Sequence, residues 1–294
     1  MRSRIWIVWA FMLPALLVMA VIVFLPLAQS IFFSFTDLTE RNQGSIFKPP
    51  TYQFIGLQNY VDILSGKDPD FYPTLAWTIV WTIVNVFFHY SIGLLLAVTL
   101  NQKFRGRTAY RLLLLLPWAV PAYITAIAWL FIFNGEYGLI NNVLGALGMP
   151  SVAWVSTFPW YYVAPIIVNV WLGIPFMMVA MLGGLQSIPP DLYEAAQVDG
   201  ASRWQRFWNI TIPQLSSVSS TVILLGCIWT FNIFVVIFLV TGGGPGGKTE
   251  ILVTYTFNAF TQGRYAIATT YAVIVFGLLI SFSAIYRRLT AREA

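Results

Sequence analysis

Charge is what this sequence has least of. Asp, Glu, Lys and Arg make up 9% of its 294 residues, against about 25% in a soluble domain. That shortage excludes a soluble globular chain. The 58% hydrophobic composition places it among polytopic membrane proteins, long enough for about six helical spans with short loops. Cysteine is nearly absent. Cys227 stands alone, so no intrachain disulfide can form, and inside an apolar run it reads as a small packing residue. The catalytic spellings HExxH and GxSxG are missing, as are paired carboxylates within apolar runs, and no Walker-type glycine loop is read in the chain. These absences point away from an enzyme and from a metal site. The net charge of +5 carries no nucleic-acid signal, because the basic residues sit beside the apolar runs.

What is present is six apolar stretches: Val8–Phe35, Thr74–Leu100, Leu112–Phe133, Trp160–Leu185, Thr221–Val240 and Ala266–Tyr286. Hydrocarbon offers no water to backbone groups, so each is expected to be a helix. The residues do not alternate, which argues against a barrel. The expected fold class is all-α, a polytopic membrane protein of six transmembrane helices in a single domain over residues 1–294. The first run follows Arg2 and Arg4 but is far longer than the 7–15 apolar residues of a signal peptide. It reads as an uncleaved, peripheral first span, bent at Pro14 and Pro26.

The basic residues fall unevenly about these runs. Eleven, from Arg2 and Arg4 through Lys103, Arg105, Arg107, Arg111, Arg203, Arg206, Arg287 and Arg288 to Arg292, share one side, and five lie opposite. That bias sets both termini and the loop at about 187–215 in the cytoplasm. Of the opposite loops, Gly242–Gly247 is turn-forming and not regular helix. Two readings of it stand: a flexible connector, or a loop that touches an external partner.

No Asp, Glu, Lys or Arg lies within any of the six runs. Ion-driven carriers keep carboxylates or broken helices there for the coupling ion, so a secondary carrier is the weaker reading. His89, between Phe88 and Tyr90, reads as a hydrogen-bonded packing residue rather than a proton relay. A path without fixed charge suits a neutral polar solute, held by aromatic faces, amides and hydroxyls. Asn169, Gly173 and Phe176 are spaced to share one helix face, with Trp171 on another. Asn169 and Asn232 are amides in hydrocarbon, and each needs a partner.

The most distinctive stretch is polar: EAAQVDGASRWQRFWNITIP, Glu194–Pro213. Pro189-Pro190 ends the preceding helix. Asp191, three residues before Glu194, is expected to cap a short helix over Leu192–Val198. Asp199-Gly200 breaks it, with Gly200 left-handed, and a second helix starts near Ser202. The result is a rigid helix–glycine–helix knob between two spans.

This pattern resembles the EAA loop of permease subunits of binding-protein-dependent ABC importers, with every anchor position filled. RGRTAYRLLLLLPWAVP from Arg105, NVWLGIPFMM from Asn169 and FNIFVVIFLVTGGGP from Phe231 are similar to sugar permeases, closest to the larger permease of maltose-type importers. The resemblance implies a type I importer fold and one of two permease subunits. It also implies a homologous second permease, a cytoplasmic ATPase dimer that holds the ATP–Mg, and an extracytoplasmic sugar-binding protein. The location implied is a prokaryotic inner membrane. This chain itself would bind no cofactor. Glu194, Ala195, Ala196, Asp199, Gly200 and Ala201 would be the ATPase-coupling residues. Carried over position by position, the sugar pocket falls on Asn169, Leu172, Gly173, Phe176, Gly226, Trp229, Thr230 and Ile233. The sequence departs from the maltose-type pattern at Phe176 (tyrosine there), Gly226 (serine), Trp229 (phenylalanine), Thr230 and Ile233 (asparagines). A passive channel or secondary carrier for a neutral solute is the alternative, and it leaves the Glu194 loop unexplained.

Overall fold

The computed structural model describes residues 2–290. Arg292, counted in the charge bias, and both ends of the 1–294 domain lie outside them. Among the described residues there is no strand, only isolated bridges such as Thr36↔Phe54. The chain divides into two compact units, Met1–Tyr72 with Tyr255–Leu278, and Pro73–Thr254 with Leu279–Ala294.

The first unit opens with α1 (Arg2–Met19), a π-helical turn (Ala20–Phe24) and α2 (Leu25–Phe33). The π turn lies just ahead of Pro26, whose missing N–H frees a carbonyl one turn back and lets the register slip. Among the described residues, none in the most apolar window of Trp9–Phe33 is buried. The following loop carries α3 (Gln58–Leu64) and is well tied. Asn59 donates to the carbonyls of Ser34 (3.0 Å) and Thr36 (2.8 Å). The carboxylate of Asp68 accepts from the hydroxyls of Tyr255 (2.9 Å) and Tyr271. Burial, and then the Asp68 bond, push the Tyr255 phenol up to about 12.

In the second unit α4 (Phe71–Asn101) and α9 (Trp160–Ser187) are long, apolar and unbroken. With Trp9–Phe33 and α16 (Tyr265–Thr290) they make four helices long enough to cross a bilayer. The third and fifth expected spans are not single helices. Leu112–Phe133 is divided among α5 (Arg107–Leu114), α6 (Leu116–Ala119) and α7 (Ala122–Ile132). Proline explains it. Val120, just before Pro121, is extended (φ −89°, ψ 131°), and Pro117 occupies the first turn of α6. Thr221–Val240 is α13 (Ser216–Phe231) followed by α14 (Phe234–Val240). Its break at Asn232 and Ile233 has no proline or glycine. The Asn232 side chain bonds back to the Ile228 carbonyl (2.9 Å), and Trp81 donates its indole N–H to the Thr230 carbonyl (3.1 Å), so the interrupted ladder is satisfied. The shorter helices are α8 (Leu139–Ala146), α10 (Pro190–Val198), α11 (Arg203–Arg206), α12 (Ile212–Gln214) and α15 (Leu252–Thr261). A π-helical turn, Phe207–Thr211, joins α11 to α12, and Arg203–Gln214 meets α13 at 66°.

Helix contacts in this unit run through glycines, as expected where lipid removes the hydrophobic drive and close packing must substitute. An added Cβ at Gly93 of α4 would lie 2.6 Å from Met177 Cβ of α9. One at Gly226 of α13 would lie 2.6 Å from Met177 Cε, and one at Gly184 of α9 would lie 2.7 Å from Leu215 Cδ2. Met177, Met181 and Leu215 are almost wholly buried along this seam.

Candidate functional site

Two features stand out in the second unit: a cavity beside the middle of α9 and the knob that follows its C-terminus. The cavity holds about 560 Å³, within the usual range for small-ligand sites. Asn169, Leu172, Gly173 and Phe176 of α9 line one wall. Gly226, Trp229 and Thr230 of α13 line another, with Ile233 at the helix break. All eight carried-over positions therefore face one space. The remaining wall is Pro117–Ala122, the proline-broken segment, with His89 and Met177. The prolines were visible in the sequence, but nothing local in it linked that segment to α9.

Among the described residues no Asp, Glu, Lys or Arg lines the cavity. Three rings run across it, Trp118 to Phe176 at 6.2 Å between centroids and Phe176 to Trp229 at 4.8 Å. Such faces accept the C–H faces of a sugar ring while hydroxyls find amides. Asn169 is 4% exposed, and its Nδ2 has no hydrogen-bond partner. His89 packs against the same turn of α9, with Nε2 2.9 Å from the Asn169 carbonyl oxygen. A Cβ on Gly173 would collide with the imidazole ring. The other amide, Asn232, is satisfied by Ile228 and does not line the cavity. Trp171 faces elsewhere and meets Trp129 at 6.2 Å.

The knob shows why its residue spacing takes the form it does. α10 ends in a Schellman motif: Gly200 N–H donates to Gln197 O (3.1 Å) and Ala201 N–H to Ala196 O (2.9 Å). Asp199 is the C-cap, and Gly200 has φ +79°, a left-handed residue where side chains are strained. Ala196 and Ala201 are the pair such a motif brings together, so small residues suit both places. Ser202 starts the next helix with a reciprocal capping box, Gln205 N–H to Ser202 Oγ (3.3 Å) and Ser202 N–H to Gln205 Oε1 (2.8 Å). The cap expected at Asp191 is corrected. Pro189 is the N-cap of α10, no side chain caps it, and Asp191 lies in the first turn. There its carboxylate complements the positive end of the helix dipole.

Arg206 Nη1 to Gln197 Oε1 (3.3 Å) and the Tyr193–Thr211 hydroxyl pair (2.9 Å) hold the two arms of the knob together. Leu215, wholly buried, seats the knob against Gly184 of α9. The tip stays open: Glu194, Ala195 and Asp199 are exposed, Val198 is 88% exposed and Trp204 69%.

The glycine loop is folded. Thr249 Oγ1 donates to Gly244 O (2.7 Å) and pairs with Thr241 Oγ1 (2.8 Å), and Trp77 Nε1 reaches Thr249 O (3.3 Å). This region also corrects the reading that no Walker-type glycine loop is present, because Gly242–Thr249 does spell G-x-x-x-x-G-K-T. The context of a phosphate cradle is absent. A helix, α14, precedes it where a strand belongs, α15 starts only at Leu252, and the threonine hydroxyl is engaged with its own loop.

Residues 89–293 match the family model described as binding-protein-dependent transport system inner membrane component. The trehalose/maltose transport system permease protein MalF of Thermococcus litoralis is 37% identical over 274 residues, 93% of this chain and 90% of that protein. The maltodextrin transport system permease protein MdxF of Bacillus subtilis is 32% identical, over 94% of this chain and 67% of that one. Among solved structures, a chain of a bacterial ABC transporter involved in the import of the acidic polysaccharide alginate superposes with a TM-score of 0.85. It covers 99% of this chain and 96% of that one at 23% identity, a likeness of fold. The chain belongs to the inner membrane components of binding-protein-dependent transport systems, as a non-catalytic permease subunit with the helical fold of ABC importers.

Proposed function

We propose that this chain forms half of the translocation pathway of an ATP-driven importer for a neutral, maltose- or trehalose-like oligosaccharide. The observation that carries the reading is the cavity: uncharged, ring-lined, and holding an unpartnered buried amide on Asn169. The names of the relatives, trehalose/maltose and maltodextrin permeases, support the same substrate class. The alginate importer shares the fold, but an acidic polymer calls for basic groups, and this cavity has none. Asn169, Leu172, Gly173, Phe176, Gly226, Trp229, Thr230 and Ile233 are the proposed sugar contacts.

In this reading the chain crosses an inner membrane six times as a single permease domain, with both termini in the cytoplasm. It pairs with a homologous permease and receives sugar from an external binding protein. An ATPase dimer supplies the ATP–Mg, and the permease binds no cofactor. One ATPase subunit grips the knob at Glu194, Ala195, Ala196, Asp199, Gly200 and Ala201, where the exposed Val198 and Trp204 add apolar surface. When the dimer closes, the knob moves as one body because its arms are capped and cross-bonded. Leu215 against Gly184 passes the displacement to α9. Phe176 lies eight residues up that helix, about 12 Å at 1.5 Å per residue. The wall of the cavity therefore moves with the knob.

The test is co-purification of the tagged chain in mild detergent, followed by ATPase assays with sugars and binding protein. A second permease and an ATPase, stimulated by a sugar-loaded binding protein, are the expected result. A chain that purifies alone and moves solute without ATP sinks the reading in favour of a carrier.

A further inference from the structure

Little more than one turn of α4 holds both ends of the segment that carries the helix break, α14 and the glycine loop. At the far end, Trp77 donates its indole N–H to the Thr249 carbonyl (3.3 Å), and the Leu252 amide donates to the Thr78 hydroxyl (2.9 Å). Leu252 opens α15, so its N–H finds no carbonyl within that helix, and Thr78 supplies the acceptor. The same hydroxyl donates to the Thr74 carbonyl (2.6 Å), which fixes its direction. At the near end, Trp81 donates its indole N–H to the Thr230 carbonyl (3.1 Å). Thr230 and Ile233 line the cavity, whereas Trp77, Thr78 and Trp81 are not among the described residues that do. Trp77 and Trp81, four residues apart, share a helix face, with ring centroids 6.3 Å apart. Trp77 is braced against Tyr162 of α9 at 4.3 Å, and Trp81, wholly buried, shares a core with Val236, Ile237 and Val240 of α14.

We propose that Trp77, Thr78 and Trp81 form a bracket that keeps the cavity wall at Thr230 and Ile233 in register with the glycine loop. Its support is α4, which is unbroken from Phe71 to Asn101. The wall it holds is interrupted at Asn232 and Ile233, so its own helical ladder does not fix it there. The loop is one folded piece, tied through Thr249 to Gly244 and Thr241, so a pull on it reaches Thr249 and Leu252 together. From there the strain passes to Trp77 and Thr78, and through Trp81 to Thr230. An indole N–H only donates and a carbonyl only accepts, so each tryptophan bond has a single sense and a single partner. The purpose of the bracket rests on the sugar-importer reading. Within it, all three side chains are positioning residues that act on the sugar through Thr230 and Ile233.

The experiment uses the assembled importer, with its partner permease and ATPase, and cuts the bracket at the loop end. Thr78→Val keeps the shape and removes the hydroxyl, and Thr78→Ser keeps the hydroxyl. The first readout is amide hydrogen exchange and needs no substrate. Thr78→Val should speed exchange about fivefold at Leu252 and also at Asn232–Phe234, which is bonded to α4 only through Trp81 at Thr230. Thr78→Ser should stay within about twofold of the unsubstituted chain at both places. Trp81→Phe, which keeps a ring and loses the N–H, should speed Asn232–Phe234 by a similar factor. Adding Thr78→Val to it should change that segment no further, as for groups acting in series. The second readout is maltose moved per ATP hydrolysed in proteoliposomes saturated with binding protein. It should fall about fivefold in Thr78→Val and in Trp81→Phe alike, because a loosened wall lets sugar escape. Equal co-purification of the partner subunits controls for assembly, and if Trp81→Phe does not assemble, the two Thr78 variants carry the test. Faster exchange confined to Leu252, or an unchanged yield of maltose per ATP in Thr78→Val, overturns the bracket alone. An unsubstituted importer that moves neither maltose nor trehalose overturns the sugar reading, and the exchange pattern then decides the bracket by itself.

Discussion

The knob at Pro190–Gln214 and the cavity around Asn169 are built by opposite means. The bonds that turn the knob tip span a few residues, with the Gly200 and Ala201 amides turning back five residues or fewer and Ser202 and Gln205 capping each other, and the bonds between its arms, Gln197 to Arg206 and Tyr193 to Thr211, stay within the knob. The cavity depends on contacts far apart in sequence. His89 meets Asn169, Trp81 meets Thr230, and Met177 fills the space left by Gly93 and Gly226. On the proposed function, a surface gripped by a separate motor benefits from being locally rigid, and a chamber that opens and closes benefits from walls carried on different helices, several of them already broken.

Four substitutions sharpen that contrast. The largest functional effect should come from the knob. At Gly200 an added Cβ meets nothing within 4 Å, so Gly200→Trp costs the chain only the strain of a left-handed residue, roughly 1–2 kcal/mol. Transport should nevertheless vanish while membrane insertion and subunit assembly persist, and surviving uptake would break the coupling assignment. In the cavity the largest effect is on stability. Met177→Ala, at 1% exposure, should lower it by about 2–5 kcal/mol in thermal or denaturant unfolding of the purified complex. Next, Gly173→Val should drive a side chain into His89 and cost about 1–3 kcal/mol, with loss of sugar uptake. The smallest is Ser202→Ala, which removes one half of the capping box and should cost about 1 kcal/mol locally, seen as faster hydrogen exchange over Arg203–Arg206. If Met177→Ala left stability unchanged, or Ser202→Ala unfolded the complex, the division into a local knob and a non-local chamber would fail.

The same division decides what could be read from residues alone. Gly200 as a left-handed break and a new helix at Ser202 follow from cap chemistry, and both are in the structure. Asp191 misled because Pro190 already presets the first helical turn, so the cap moves back to Pro189 and the carboxylate serves the dipole instead. Hydropathy marked the third and fifth apolar runs but not their breaks. For the third, Pro117 and Pro121 were plain to see, and apolarity summed over a window is blind to a missing N–H. For the fifth, the sequence holds no breaker, and the gap at Asn232 is stabilised in part by Trp81, from a helix far away in the chain. Asn169, Gly173 and Phe176 share a helical face and were legible as a set for that reason, whereas Leu172 and the α13 positions came only with the family resemblance. The Pro117–Ala122 wall and the His89 contact required the fold. The glycine loop is the converse case, where the spelling of a phosphate cradle is present and its structural context is not.

The account stands on the claim that sugar movement through this chain is tied to ATP through the knob. Its most direct test is uptake of labelled maltose by proteoliposomes holding the assembled importer, with ATP inside or absent, for the unsubstituted chain and for Gly200→Trp. The account predicts uptake that requires ATP and disappears in Gly200→Trp although all subunits are present. Uptake without ATP, or equal ATP-driven uptake by both, would contradict it.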